Sequence, residues 1–157
     1  MDISFVRNQF PALKNEFIFM DNAGGSQILG RSVNYISEYY TNFNVQLGAS
    51  YKISETAGEK LKHVTGQVAK FINSPRQQEI VIGSSSTMLL RILSLCISDS
   101  WKAGDEVIIS NTDHEANVSC WTDLQEKGIK IKVWEVNPES FQLETEQLKN
   151  LLSNRTR

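Results

Sequence analysis

The chain has 157 residues, of which 40% are hydrophobic and 22% are charged. These fractions are those of ordinary soluble globular proteins, and they exclude collagen-like, coiled-coil and disordered chains. The net charge is -2 and no lysine or arginine cluster is present, so the sequence offers no electrostatic footprint for nucleic acid. No apolar run reaches the roughly 18 residues that a membrane helix requires.

The first residues of the chain and its two cysteines indicate the cellular compartment that we expect for the protein. Residues 1–5 contain no basic segment that leads into an apolar stretch, so they do not form a secretory signal. Cys96 and Cys120 lie far apart in unlike sequence contexts and do not make a disulfide framework. We therefore expect a cytoplasmic protein with reduced thiols that binds neither nucleic acid nor a membrane.

The first half of the chain is predicted to be helical after an irregular start. The first thirty residues are loop-like and extended, with a short apolar strand or arm at 17–20 and a glycine-containing turn at 21–26. Apolar residues at helical spacing predict a first helix over 33–43. A polar loop at 44–51 separates it from a longer helix, whose apolar stripe runs over 57–72.

Strands and helices alternate in the second half. The predicted strands are 79–82, 106–110 and 130–136, and the predicted helices are 88–98, 116–126 and 144–152. Eight of the eleven residues in 88–98 are apolar, so we expect that helix to be buried, with Cys96 as an inert small hydrophobe. The alternation predicts an α/β fold with a mostly parallel sheet and helices on both faces.

A polar turn at 83–87 follows the first predicted strand, at the sheet edge where ligands bind in α/β folds. Backbone N–H groups at the start of the next helix, with the hydroxyls of Ser84, Ser85 and Ser86, suit a phosphate or another anion. The alternative is an ordinary N-cap, which needs only one hydroxyl. The turn is neither a Walker A loop nor a GxGxxG turn.

His114 follows the next predicted strand and lies at the same edge. Its ring could stack on a ligand or move a proton. The alternative is a loop histidine that bonds locally beside Asp113 and Glu115. His63 is predicted to be a solvated surface residue, and the histidines and cysteines lack the spacing of metal ligands.

Several segments together resemble the cysteine desulfurase-like proteins of the class V aminotransferase family. In chain order they are 19–27, 44–51, 83–87, 104–108, and 113–117 with Trp121. Members of this family are pyridoxal-phosphate enzymes of fold type I. The resemblance runs from about Phe10 to the end of the chain, and it implies pyridoxal 5'-phosphate as the cofactor.

The resemblance also implies site residues. The implied cofactor-binding residues are Ser84, Ser85, Ser86 and His114. Ser85 corresponds to the main hydroxyl ligand of the cofactor phosphate, and His114 corresponds to the histidine that stacks on the pyridine ring. Ala23 and Gly24 correspond to the N-terminal turn that borders the substrate pocket.

Two groups that the family's chemistry needs are not matched in this sequence. In the family, the aspartate paired with the pyridine nitrogen and the Schiff-base lysine come later than residue 157, and no lysine here lies in a matching motif. We therefore expect the N-terminal part of a longer enzyme, catalytically incomplete by itself. Residues 1–50 would form an N-terminal helical arm, and 51–157 part of the large cofactor-binding α/β domain.

The function implied by the resemblance is cleavage of a carbon–sulfur bond in a cysteine-like amino acid, by an enzyme that is a homodimer at full length. One alternative is a non-catalytic α/β module for anion binding or protein interaction. Another is a Rossmann-type nucleotide binder, which the missing glycine fingerprint disfavours.

Overall fold

The computed structural model covers all 157 residues, which divide into two units, Met1–Ile80 and Val81–Arg157. The first unit is helical. Its elements are α1 (Ile3–Asn8), a 3₁₀ turn at Pro11–Lys14, α2 (Gly30–Asn42), α3 (Lys52–Phe71) and a 3₁₀ turn at Gln77–Glu79. The domain boundary expected after residue 50 concerns an intact enzyme and stays a prediction.

The prediction of a loop-like start is wrong for two short helical segments. Asp2 caps α1, because its Oδ1 accepts a hydrogen bond from the Phe5 N–H at 3.0 Å. This N–H lies in the first turn, where no carbonyl of the helix can accept it. Pro11 begins the first 3₁₀ turn, a position at which a missing N–H is tolerated. The apolar segment 17–20 pairs with no strand and is an extended arm.

The two longer predicted helices are confirmed as α2 and α3. Helix α3 begins at Lys52, before its apolar stripe, because Ser54 joins it to the preceding loop. The Ser54 hydroxyl donates to the carbonyl of Gln46 at 2.6 Å and accepts from the N–H of Ala49 at 3.0 Å. Ser54 is buried, so these bonds fix the angle at which the loop enters the helix.

The second unit contains a small parallel sheet and three helices. Its helices and strands are α4 (Ser86–Ile97), β1 (Glu106–Ser110), α5 (Glu115–Thr122), β2 (Lys130–Trp134) and α6 (Thr145–Leu151), with 3₁₀ turns at Ser98–Ser100 and Asp123–Lys127. The two strands are parallel, with Glu106 opposite Lys130 and Ser110 opposite Trp134. The predicted α/β class is therefore confirmed. The buried core consists of Val107, Leu124 and Ile129, against which Trp101, Ile109, Trp121 and Ile131 pack.

The strand predicted at 79–82 is wrong. Glu79 ends a 3₁₀ turn, and residues 80–82 form no strand. The side chains of Val81 and Ile82 are 73% and 55% exposed, and no neighbouring backbone pairs with this segment. A strand exists only with a hydrogen-bonding partner, so an apolar β-branched run without one stays irregular.

The prediction that the apolar helix at 88–98 is buried is also wrong. Only Ser94 is buried in α4, whereas Met88, Ile92 and Leu93 are each about half exposed. The helix packs chiefly on α5, which leaves its remaining apolar surface uncovered. Cys96 is exposed rather than part of a core. None of the helices combines the length and the apolar composition needed to cross a membrane.

The last residues of the chain lie along β1. The Glu106 N–H donates to the carbonyl of Arg155 at 2.9 Å, and the Arg157 N–H donates to the carbonyl of Glu106 at 3.0 Å. The Lys102 N–H and then the Arg157 guanidinium hold the pKa of Asp105 below its ordinary value. Asp105 and Glu106 are both buried, and the carboxylate of Asp105 accepts two hydrogen bonds from the Arg157 guanidinium, at 2.8 and 3.1 Å. These contacts attach the C-terminal segment to the sheet.

Candidate functional site

The turn that carries the three serines ends in the first residue of α4. Ser85 is the N-cap, in an extended conformation with φ -162° and ψ 159°. Its Oγ accepts a hydrogen bond from the N–H of Met88 at 3.2 Å. The capping alternative raised by the sequence therefore describes the bonding of the Ser85 side chain in this structure.

Capping by Ser85 leaves most of the polar groups in this turn without a partner. The N–H groups of Ser84, Ser85, Ser86 and Thr87 have no acceptor within the chain, and the hydroxyls of Ser84, Ser86 and Thr87 form no hydrogen bond. All four residues are exposed. These N–H groups precede or begin a helix of 12 residues, whose dipole adds positive potential there. The turn therefore has the donors that a phosphate group requires.

Gly83 lets the turn lie close to α4. A Cβ at this position would be 2.6 Å from Cδ2 of Leu89, so any larger residue would displace the leucine side chain. The close approach brings the backbone of the turn against the first turns of the helix. The shape of the serine turn therefore depends on the pair Gly83 and Leu89.

His114 is the N-cap of α5. The ring Nδ1 of His114 accepts a hydrogen bond from the backbone N–H of Ala116 at 3.0 Å, and the backbone N–H of His114 donates to Oδ1 of Asp113 at 2.8 Å. The local bonding raised as an alternative is thus present. It is compatible with stacking, because a hydrogen bond to a ring nitrogen lies in the ring plane and leaves the faces free. With Nδ1 as an acceptor, the proton of the neutral ring is on Nε2.

Two residues not predicted as site residues, Asn117 and Trp121, join the segment that carries His114. The Asn117 Nδ2 donates to Oδ2 of Asp113 at 2.6 Å, and Trp121 Nε1 donates to Oδ1 of Asn117 at 3.1 Å. With Ser110, these side chains help to line a cavity of about 350 Å³. Asp113 lies just before α5, and Asn117 and Trp121 lie on one face of that helix. The spacing of four residues from 113 to 117 and from 117 to 121 is the sequence signal that could have identified them.

Ala23 and Gly24 lie in the first unit, at the turn predicted for 21–26. The Gly24 N–H donates to the carbonyl of Asp21 at 3.3 Å, and both residues are exposed. A Cβ on Gly24 would be 3.0 Å from Oδ2 of Asp21, an exposed side chain that a larger residue at position 24 would displace. The serines and His114 lie in the second unit.

The sequence matches a known protein family. The family model for class-V aminotransferases matches residues 18–157. The chain belongs to the class-V aminotransferase family. The resemblance carried by the five sequence segments is thereby confirmed.

Curated relatives of this class-V aminotransferase chain include two fungal proteins. The chain is similar to the aminotransferase-like protein FGM3 of Gibberella zeae, with 42% identity over 99% of the chain and 39% of the relative. It is also similar to the cysteine desulfurase-like protein ustD of Aspergillus flavus, with 34% identity over 100% of the chain and 37% of the relative. The chain thus spans about two fifths of the length of these relatives.

The fold matches that of a cysteine desulfurase. The structure of CsdA from Escherichia coli superposes with a TM-score of 0.82 and 23% identity, over 100% of this chain and 40% of that one. At this identity the likeness establishes the fold. The predicted α/β fold of a class-V aminotransferase is therefore confirmed over the length of the chain.

The remaining reactive side chains of this class-V aminotransferase chain do not form a second site. Burial raises the pKa of the Cys120 thiol, which keeps it protonated near neutral pH and makes it a poor nucleophile. No three histidine, cysteine, aspartate or glutamate side chains come together in a way that could hold a metal ion. The candidate chemistry therefore rests on the serine turn and the His114 segment.

Proposed function

We propose that this chain is the N-terminal, phosphate-binding part of a pyridoxal-phosphate enzyme that acts on an amino acid. The observation that carries the proposal is the set of unpartnered N–H groups and hydroxyls at 84–87, at the start of α4 in a class-V aminotransferase. The reaction that we propose is cleavage of the carbon–sulfur bond of a cysteine-like substrate. Relatives and a structural neighbour named as cysteine desulfurases support it.

Each site residue has a proposed role toward the cofactor or the substrate. The N–H groups of the serine turn, with the hydroxyls of Ser84 and Ser86, bind the phosphate of pyridoxal 5'-phosphate. The hydroxyl of Ser85 also binds the phosphate, once the phosphate accepts the N–H groups at the start of α4 in its place. His114 stacks on the pyridine ring, and Ala23 and Gly24 border the amino acid. When bound, the cofactor withdraws electrons from the α-carbon of the amino acid.

The compartment, the oligomeric state and the remaining catalytic residues of the enzyme are also proposals. Both cysteines are free thiols, which fits a reducing cytoplasmic compartment. We propose a homodimer for the complete enzyme, on the basis of the family. The cofactor-binding lysine and the aspartate for the ring nitrogen are proposed to lie outside these 157 residues. Of the lysines present, Lys132 already binds Glu106 at 2.6 Å, and Lys60 lies over the ring of Phe43.

Borohydride reduction tests whether this chain contains the cofactor-binding lysine. The purified chain is mixed with pyridoxal 5'-phosphate, reduced with sodium borohydride, and mapped for pyridoxyl-lysine by mass spectrometry. We expect sparse labelling spread over several exposed lysines, and no cysteine-dependent release of sulfide above that of the free cofactor. A single lysine labelled to near completion, or sulfide release well above the free-cofactor rate, would contradict the incompleteness that we propose.

A further inference from the structure

Three side chains link the segment that carries His114 to the core of the second unit. We call Asp113, Asn117 and Trp121 the side-chain relay. Trp121 packs against the buried core and stacks on Trp101, with ring centroids 6.4 Å apart. From there, hydrogen bonds of 3.1 and 2.6 Å run through Asn117 to the carboxylate of Asp113.

Asn117 lies in the middle of this relay, and its two neighbours determine which hydrogen bonds its side chain must form. The indole N–H of Trp121 can only donate, and the ionised carboxylate of Asp113 can only accept. The residue between them must accept on one side and donate on the other. A primary amide does both, which also fixes the orientation of the Asn117 side chain.

The relay ends on His114. The second carboxylate oxygen of Asp113 accepts the backbone N–H of His114 at 2.8 Å. The ring itself is held by the N–H of Ala116 on Nδ1 at 3.0 Å, and the carbonyl of His114 accepts the N–H of Asn117 at 2.8 Å. Asp113 thus holds the backbone of His114 and Ala116 holds its ring, so the orientation of the ring depends on both bonds.

We propose that Asn117 is a positioning residue for His114: its amide holds Asp113 so that the imidazole stays in one tautomer and one orientation for the cofactor ring. This inference rests on the proposed function, because the cofactor is what the ring would meet. A ring held before the ligand arrives loses less side-chain freedom on binding. The positioning of the ring itself is a property of the chain without any ligand.

The variants separate the relay from the other effects of substitution. Asn117→Ala removes both hydrogen bonds without adding a charge, and Asn117→Asp places two carboxylates against each other. The double variant Asp113→Asn with Asn117→Asp exchanges the two groups, so that an amide at 113 donates to a carboxylate at 117 while all three hydrogen bonds remain possible. Ser119→Ala is the matched control, because it removes a hydroxyl on the same helix that bonds only to the Glu115 carbonyl.

The first readout needs no cofactor. Nitrogen-15 chemical shifts of the imidazole report which nitrogen carries the proton, and a His63→Gln background leaves His114 as the single histidine. At pH 8 we expect the Nε2–H tautomer in the wild type, the control and the double variant, and a mixture of tautomers in Asn117→Ala and Asn117→Asp. Unchanged His114 shifts in both single variants would overturn the proposal.

The second readout is binding of pyridoxal 5'-phosphate and of inorganic phosphate to the same variants. For pyridoxal 5'-phosphate we expect the dissociation constant to rise about 3- to 10-fold in Asn117→Ala and to return to within about twofold in the double variant. The affinity for phosphate should stay the same in Asn117→Ala. Equal affinity for the cofactor in all variants would overturn the positioning role, whereas a wild type that binds no cofactor would instead refute the proposed function.

Discussion

Replacement of Ser85 by aspartate is expected to raise the dissociation constant for pyridoxal 5'-phosphate by about 10- to 100-fold, whereas asparagine at the same position should raise it only about 2- to 3-fold. Ser85 caps α4 by accepting the Met88 N–H at 3.2 Å. Aspartate and asparagine are equally good N-caps, so both variants keep the helix start. They differ in one negative charge, placed among the donors proposed to bind the phosphate.

Equilibrium titration followed by the absorbance of the cofactor measures both dissociation constants. Urea unfolding of the two variants provides the control. We expect neither midpoint to fall below that of the wild type, because the cap is preserved in each and the helix dipole favours the negative charge of aspartate. Equal affinity in the aspartate and asparagine variants would contradict an anion site at this turn. A loss of affinity in both, with a lower unfolding midpoint in both, would show that the substitutions act on folding instead.

Leu124→Ala is expected to lower the free energy of unfolding by about 2 to 4 kcal/mol. The side chain of Leu124 is 2% exposed and forms the buried core with Val107 and Ile129. Truncation removes apolar burial and leaves a cavity beneath the strand that leads to His114. In a core with so few fully buried residues, this loss is a large share of the total stability.

Urea unfolding measured by circular dichroism tests this loss, with Leu93→Ala as the matched control. Leu93 is the same residue type on α4, but its side chain is 48% exposed. We expect the control to lose less than about 1 kcal/mol. Equal losses for the two variants would mean that the core does not lie where the structure has it.

Sequence patterns predict those elements whose ends are determined by adjacent residues, such as a glycine in a turn. Strand β1 was predicted with its observed bounds, Glu106–Ser110. It follows Gly104, which has φ 88°, a conformation that favours glycine and marks the preceding turn. Gly128, with φ 80°, marks the start of the next strand in the same way. These signals depend on a few adjacent residues and can be read from the sequence.

Features that depend on distant partners could not be predicted in this way. The segment 79–82 contains three successive apolar β-branched residues and looks like a strand, yet nothing in the chain pairs with it. Composition predicted that α4 is buried, but burial depends on what covers a helix, and α5 covers one side only. For Ser85 and His114 the residues alone allow local bonding or ligand binding, and the family resemblance implies ligand binding. The structure shows local bonding at both residues, and their role toward a ligand stays a prediction.

The most direct test of phosphate binding at the serine turn compares two forms of one cofactor. The wild-type chain is titrated with pyridoxal 5'-phosphate and with pyridoxal, which lacks the phosphate, and bound pyridoxal 5'-phosphate is then displaced with inorganic phosphate. We predict that the phosphorylated form binds at least about 10-fold more tightly than pyridoxal and that inorganic phosphate displaces it. Equal affinity for the two forms, or no binding of either, would contradict a cofactor-phosphate site at Ser84, Ser85 and Ser86.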